Sequence, residues 1–278
     1  MKSLNKKQIF LVLGGIIVFV LLYFAPRKRD VSPVETVKSE QGTDENSFLT
    51  NSFKSLDTVN AKKFQYLIAQ LNSDGSKTEK LLLIDSIIGL TQLVKKPSIE
   101  AVFLDKKAQL TDSINDFAKA ADAYFFAVRF LPEGERAFFY NKAISLYTKV
   151  VEAEPLNFEA KNNLAVCYVE GSSNPMQGIG LLREVLEVDS NNINAYLNLG
   201  YFAVKSGQYE KAVERFEKVL KIDPNYTQAY IYLGDVFETK KDFAKAITYY
   251  EKYKATLNDE ATISEIDKYI LSLKQKNI

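Results

Sequence analysis

Histidine and tryptophan are absent from this 278-residue chain, which holds one cysteine, Cys167, and two methionines. Without histidine no histidine-based triad can be assembled, and with a single thiol neither a zinc finger nor an intramolecular disulfide can form. Charge of one sign is missing too. Lys and Arg number 36 against 35 Asp and Glu, so there is no global field of the kind that nucleic acid attracts. The phosphate-cradling patterns G-x-x-x-x-G-K-[ST] and G-x-G-x-x-G and the nucleophile elbow G-x-S-x-G do not occur. Acidic residues lie at helical spacing from lysines, as in Glu210, Glu214 and Lys218, which is the pattern of a solvated face. Cys167 sits between Ala165 and Tyr168, where a core thiol is expected and not a nucleophile, because reactive thiolates need an electropositive, partly exposed setting. No catalysis, cofactor, metal or small-molecule substrate is expected.

Long apolar runs are scarce; there is one. Residues 9–25 carry no charge and are mostly Ile, Leu, Val and Phe. As a helix they would span roughly 25 Å, slightly short of a ~30 Å hydrocarbon core. A buried soluble helix is seldom apolar on every face. Lys2, Lys6 and Lys7 precede the run, and Pro26 with Arg27, Lys28 and Arg29 ends it. A cleaved signal peptide fits less well, since Tyr23 is bulky at the −3 position and Pro26 would follow the cut. The expectation is a short basic tail at 1–8 and a single transmembrane helix at 9–25. Both flanks are basic, and the four positive charges of the tail place the N-terminus in the cytoplasm. The rest of the chain then lies outside the cytoplasmic membrane, and the compact anchor and lysine-rich composition suggest a bacterial inner membrane.

Residues 26–46 are polar beyond their basic start, contain Pro33 and Gly42 and lack an apolar period, so a flexible stalk is expected there. A helical region follows at 47–110. Val59, Phe64, Leu67, Ile68 and Leu71 recur at helical spacing, and Asn72-Ser73-Asp74-Gly75 stops that helix. A second helix is expected from about Thr78 to Val94, with Leu81, Leu82, Ile84, Ile87, Ile88 and Leu93 as its apolar residues. Pro97 suits the first turn of a third. Between 111 and 157 the pattern predicts a helical pair, with Leu131-Pro132-Glu133-Gly134 as its turn.

Three stretches near 160, 195 and 229 then repeat one pattern at spacings of 35 and 34 residues. The central copy supplies Tyr196, Leu199, Gly200, Ala212, Phe216 and Pro224. The last supplies Tyr230, Leu233, Gly234, Phe237, Ala246 and Tyr250, and the first Leu164, Ala165, Tyr168, Gly178 and Leu182. These residues at this period resemble the tetratricopeptide repeat, a helix–turn–helix unit. The first copy carries an extra residue in its Gly171-Ser172-Ser173-Asn174 turn, and Asn258 stands where the last copy should have proline. Ala143, Tyr147 and Pro155 match the same positions in the pair at 111–157, which reads as a degenerate repeat. The resemblance implies an all-α, right-handed helical-hairpin solenoid with three repeats at 158–258 and a capping helix at 259–278. Gly200 and Gly234 would let helices approach closely, while Phe216 and Tyr250 would fill the gaps between repeats.

In this family first helices line a concave surface that binds other proteins. The resemblance places Asn162, Val166 and Val169 there, then Asn194, Leu197, Asn198, Tyr201 and Lys205, then Gln228, Ile231, Tyr232, Asp235 and Glu238. Members that clamp a peptide carboxylate use lysine, asparagine and arginine at inner positions. Of that set only asparagine survives here, so cationic clamping is not implied. The groove would be aromatic and aliphatic with an acidic edge, suited to a peptide with apolar anchors and a basic residue. The resulting expectation is a membrane-anchored scaffold or chaperone-like adaptor. The alternatives are a structural subunit of a membrane-bound assembly and, last, an enzyme with its site in 47–110.

Overall fold

Each helix of this protein packs on its predecessor in the chain, so the molecule grows by adding neighbours. The computed structural model describes residues 44–276, and all regular structure among them is helical. The helices are α1 (Glu45–Lys54), α2 (Thr58–Leu71), α3 (Lys77–Leu93), α4 (Pro97–Thr111), α5 (Ile114–Ala127), α6 (Glu133–Ala153), α7 (Phe158–Gly171), α8 (Pro175–Val188), α9 (Ile193–Lys205), α10 (Tyr209–Ile222), α11 (Gln228–Thr239), α12 (Phe243–Lys254) and α13 (Glu260–Lys276). A 3-10 turn, Val128–Phe130, extends α5. The expected tail, transmembrane helix and most of the stalk lie outside the described residues. Among the described residues no helix is long and apolar enough to cross a membrane.

Local chemistry sets the boundaries. Asp57 caps α2 by accepting from the amides of Val59 and Asn60, and Ser76 with Glu79 forms a capping box on α3. Asn157 and Asn192 cap α7 and α9 through Ala160 and Ala195, both at 3.0 Å. Pro97 and Pro175 open α4 and α8, where their missing N–H costs nothing.

Two expected boundaries shift. The stalk was expected to run to residue 46, yet Asp44 caps α1 and helix begins at Glu45. The reason is tertiary: Phe48 is buried, its ring 5.1 Å from Phe139 and 6.4 Å from Phe138, while Glu45 reaches Lys106 and Lys142. Gly134 was expected in a turn but lies inside α6, because Pro132 takes the capping position and Arg136 Nε donates to the Leu131 carbonyl. The apolar pattern of α3 also overstates its buried face. Ile84 and Ile87 are buried, but Leu82 and Leu93 are exposed.

Three of the hairpins close by one turn. After α9, Gly207 adopts φ +71°, its amide donating to Val204 and that of Gln208 to Ala203. After α11, Lys241 does the same at φ 60°, with bonds to Glu238 and from Asp242 to Phe237. After α3, Lys95 repeats it at φ 54°, with bonds to Gln92 and from Lys96 to Thr91. This is the left-handed Schellman closure that favours glycine.

Within a repeat, the second helix seats a ring on bare backbone of the first. A Cβ on Gly200 would lie 2.5 Å from Phe216, and one on Gly234 would lie 2.6 Å from Tyr250. The same two rings reach the next element, Phe216 lying 5.1 Å from Tyr232 and Tyr250 5.3 Å from Tyr269 of α13. The buried residues fall into three apolar clusters. One runs from Phe48 to Tyr168, one from Ala165 to Phe202, and one from Ala203 to Leu273. Ile270 and Leu273 bring α13 into the last of these.

Gly234→Ala should destabilise the fold by about 1–3 kcal/mol through forced displacement of the Tyr250 ring, read as a lower urea midpoint. Lys241→Gly should act the other way, by about 1 kcal/mol, because glycine removes the cost of left-handed backbone. An unchanged midpoint for both would contradict this packing and this turn.

Candidate protein-binding cleft

First helices α5, α7 and α9 face a common cleft of about 360 Å³. From α7 come Glu159, Asn162, Asn163 and Val166; from α9 come Asn194, Leu197, Asn198, Tyr201 and Phe202; Phe125 and Arg129 close it on the α5 side. The expected groove residues Asn162, Val166, Leu197, Asn198 and Tyr201 therefore meet in one place. Asn194, also expected, joins them, whereas Val169 does not line the cleft. Phe125, Arg129, Glu159, Asn163 and Phe202 were not expected. Arg129 was missed because the 3-10 turn carries it past the end of α5, where the sequence signals only a loop.

Tyr201 is 57 % exposed, and its ring rests edge-on against Phe202 at 5.9 Å. Asn162 is the opposite case, at 4 % exposure. Its amide nitrogen donates to Asn192 Oδ1 at 3.2 Å, and that same oxygen accepts the capping bond from Ala195. Since Asn192 must present oxygen to cap α9, Asn162 must present nitrogen to it. Asn162 Oδ1 is left buried without a partner. An unmet buried acceptor costs free energy until a donor arrives.

The remaining expected residues are largely engaged with the protein itself. Lys205 is paired with Glu170 at 2.5 Å, from one first helix to the next. Gln228 is exposed at the start of α11. Ile231 is half-buried against the last apolar cluster, and Tyr232 leans on Phe216. Burial raises the Tyr232 hydroxyl above its ordinary pKa. Asp235 accepts from the Tyr250 hydroxyl at 2.6 Å. Desolvation holds its carboxyl above the usual range, against the lowering effect of that bond.

Glu238 accepts from the Tyr269 hydroxyl at 2.5 Å and lies 3.4 Å from Lys276, both on α13. Tyr269 is pushed up to about 12, first by its bond to Glu238 and then by burial. The acidic edge expected of the last repeat is thus partly covered by α13. Sequence spacing could not reveal that, because α13 approaches from 31 residues further along the chain.

Catalytic groupings do not emerge from these contacts. Cys167 is wholly buried, and burial pushes its thiol well above the ordinary value. Among the described residues, no group of three His, Cys, Asp or Glu could hold a metal ion.

Residues 197–261 match the family model described as "Tetratricopeptide repeat". Among curated proteins, the mitochondrial import receptor subunit TOM70 of Homo sapiens is 25% identical over 105 residues, covering 38% of this chain and 17% of the receptor. The RNA polymerase-associated protein CTR9 of Saccharomyces cerevisiae is 35% identical over 78 residues, covering 28% of this chain and 7% of that protein. The match thus spans only a small part of either relative. Among solved structures, a crystal structure of MamA protein is 20% identical with a TM-score of 0.48, covering 64% of this chain and 92% of that one. YrrB, described as "a TPR protein with an unusual peptide-binding site", is 19% identical with a TM-score of 0.45, covering 69% and 93%. The stretch matched by the tetratricopeptide-repeat model runs from within α9 to the start of α13.

Proposed function

We propose that the chain is a protein-interaction module whose cleft between α5, α7 and α9 takes a peptide segment of a partner. One observation carries this reading: an exposed aromatic, Tyr201, stands with apolar Val166 and Leu197 in a single cleft lined by the amides of Asn162, Asn163, Asn194 and Asn198. A peptide supplies what such a lining can take, an apolar side chain for the aromatic wall and main-chain groups for the amides. The peptide-binding site named for YrrB accords with the same reading.

The wider role is that of a scaffold or chaperone-like adaptor, held at a bacterial inner membrane by residues 9–25, with the repeats outside the cytoplasm. Support for the anchor is the uncharged run itself and its basic flanks. Tethering would raise the effective concentration of the cleft near membrane-bound partners.

The test is photocrosslinking from position 201 of the full-length chain, with mass spectrometry of what is caught. One or two dominant partner proteins are expected, and their compartment would fix the side of the membrane. In the chain without the photoreactive residue, Tyr201→Ala should weaken co-purification of that partner by roughly tenfold while leaving helicity and melting nearly unchanged, since Tyr201 is mostly exposed. Crosslinks to the chain itself alone, or co-purification indifferent to the substitution, would remove the cleft from the argument.

A further inference from the structure

The four hairpins from α5 to α12 share a coupling that spacing alone does not display. In each first helix, one residue directly follows the small residue on which the second helix packs; these are Asp122, Val166, Tyr201 and Asp235, after Ala121, Ala165, Gly200 and Gly234. The second-helix residues at the matching position are Tyr147, Leu182, Phe216 and Tyr250. An aspartate stands on the first helix only where a tyrosine stands on the second. In both such hairpins the tyrosine hydroxyl donates to aspartate Oδ1 at 2.6 Å. Where the second helix carries Leu182 or Phe216, with no hydroxyl, the partner is Val166 or Tyr201, and both of those line the cleft.

The first and last hairpins therefore each present a carboxylate fixed in direction, and the two between them present apolar side chains. Asp122 lies one and two turns before Phe125 and Arg129, which face the cleft, and so belongs to the same helix stripe. Asp235 occupies the position of Tyr201 one repeat later. Both aspartates are exposed, and the tyrosine takes only Oδ1. Among the described residues, neither has a lysine or arginine within ion-pair distance. The basic groups nearby are occupied elsewhere: Lys205 with Glu170, Lys276 with Glu238, and the Arg129 guanidinium over the Phe126 ring at 5.6 Å.

Resting on the reading of the cleft as a peptide site, we propose that its partner segment has an apolar centre and a basic residue at each end, the ends read by Asp122 and Asp235. A carboxylate held by a tyrosine hydroxyl keeps lone pairs free for an ammonium or guanidinium, and the fixed direction lowers the ordering cost of that contact. Val166, Leu197 and Tyr201 supply the apolar floor between. Three helix spacings of roughly 8–10 Å separate the carboxylates, a distance that about eight or nine extended residues would cover.

The experiment uses the full-length chain in neutral detergent and three synthetic peptides of about nine residues, blocked at both termini. They share a Leu/Phe centre and carry Lys, Gln or Glu at both ends; binding is read by fluorescence anisotropy. At low salt the Lys-ended peptide should bind about tenfold tighter than the Gln-ended one, with the preference shrinking at high salt. Asp122→Asn with Asp235→Asn should reduce the preference to about twofold or less and leave the Gln-ended affinity unchanged. Asparagine retains an oxygen for the tyrosine hydroxyl, so the hairpins should keep their helicity. If the double variant loses it, each single variant should remove about threefold of the preference.

Equal binding of the Lys- and Gln-ended peptides, or tighter binding of the Glu-ended one, would overturn the charge assignment and leave the cleft standing. A preference that survives the substitutions would take the assignment away from these two aspartates. Failure of all three peptides to bind would overturn the cleft reading together with the inference.

Discussion

A single constraint recurs through the hairpins from α7 to α12: one helix packs on a residue of the other that carries no more than a methyl, as the Phe216 and Tyr250 rings do on Gly200 and Gly234. Each hairpin from α7 to α12 meets this with one glycine and one alanine. The pairs are Ala165 with Gly178, Gly200 with Ala212, and Gly234 with Ala246, and all three alanines are fully buried. In the first repeat the glycine is on the second helix, and a Cβ there would lie 2.3 Å from the Ala165 carbonyl. The degenerate hairpin uses Ala121 and Ala143, both buried. Because the small pair fixes the distance between helices, it also fixes which residues of the first helix are left over to face the cleft. Val166 and Tyr201 line it because they immediately follow the small residue.

Polar contacts between repeats act as stitches laid over this packing. Lys205 reaches Glu170, Lys240 reaches Glu210, Tyr249 reaches Glu217 and Lys254 reaches Asp267, each from one unit to an adjoining one. Three of the four pairs have at least one well-exposed partner, so each of these contributes little to stability on its own and is weakened by salt. Their effect is on register, since they hold successive units in one relative position. Asn162 and Asn192 differ in kind. That link is mostly buried and joins the floor of the cleft to the cap of the following helix.

How far the sequence revealed this can be traced residue by residue. The period of Gly200, Ala212 and Phe216 against Gly234, Ala246 and Tyr250 carries the repeat, because close packing tolerates so few residue types at those positions. Both helices of the α3 and α4 hairpin were expected from the pattern, but not that they close as α9 and α10 do, with Lys95 in the left-handed turn. Leu82 and Leu93 belong to the apolar pattern that predicts α3, but an apolar residue in a helix does not say which face its neighbours will cover. For the cleft, position in the repeat brought Val166, Leu197, Asn198 and Tyr201 together. It also placed Glu238 and Asp235 on the concave surface, without showing that the carboxylate of the first is taken by α13 and that the second accepts from a tyrosine on its own hairpin. Which side chains are already engaged is a property of the folded neighbourhood, and single-helix periodicity carries no record of it.

The division of the buried residues into three clusters makes α9 a wall with rooms on both sides. Phe202 belongs to the cluster behind it and Ala203, the next residue, to the cluster ahead. A residue added in the turn at 171–174 lengthens a loop, and this chain already accommodates one there. The same addition between Phe202 and Ala203 would rotate the rest of the helix by about 100°, and the side chains beyond it would face the wrong room. The chain is therefore free to vary in length at its corners and held to count within its walls.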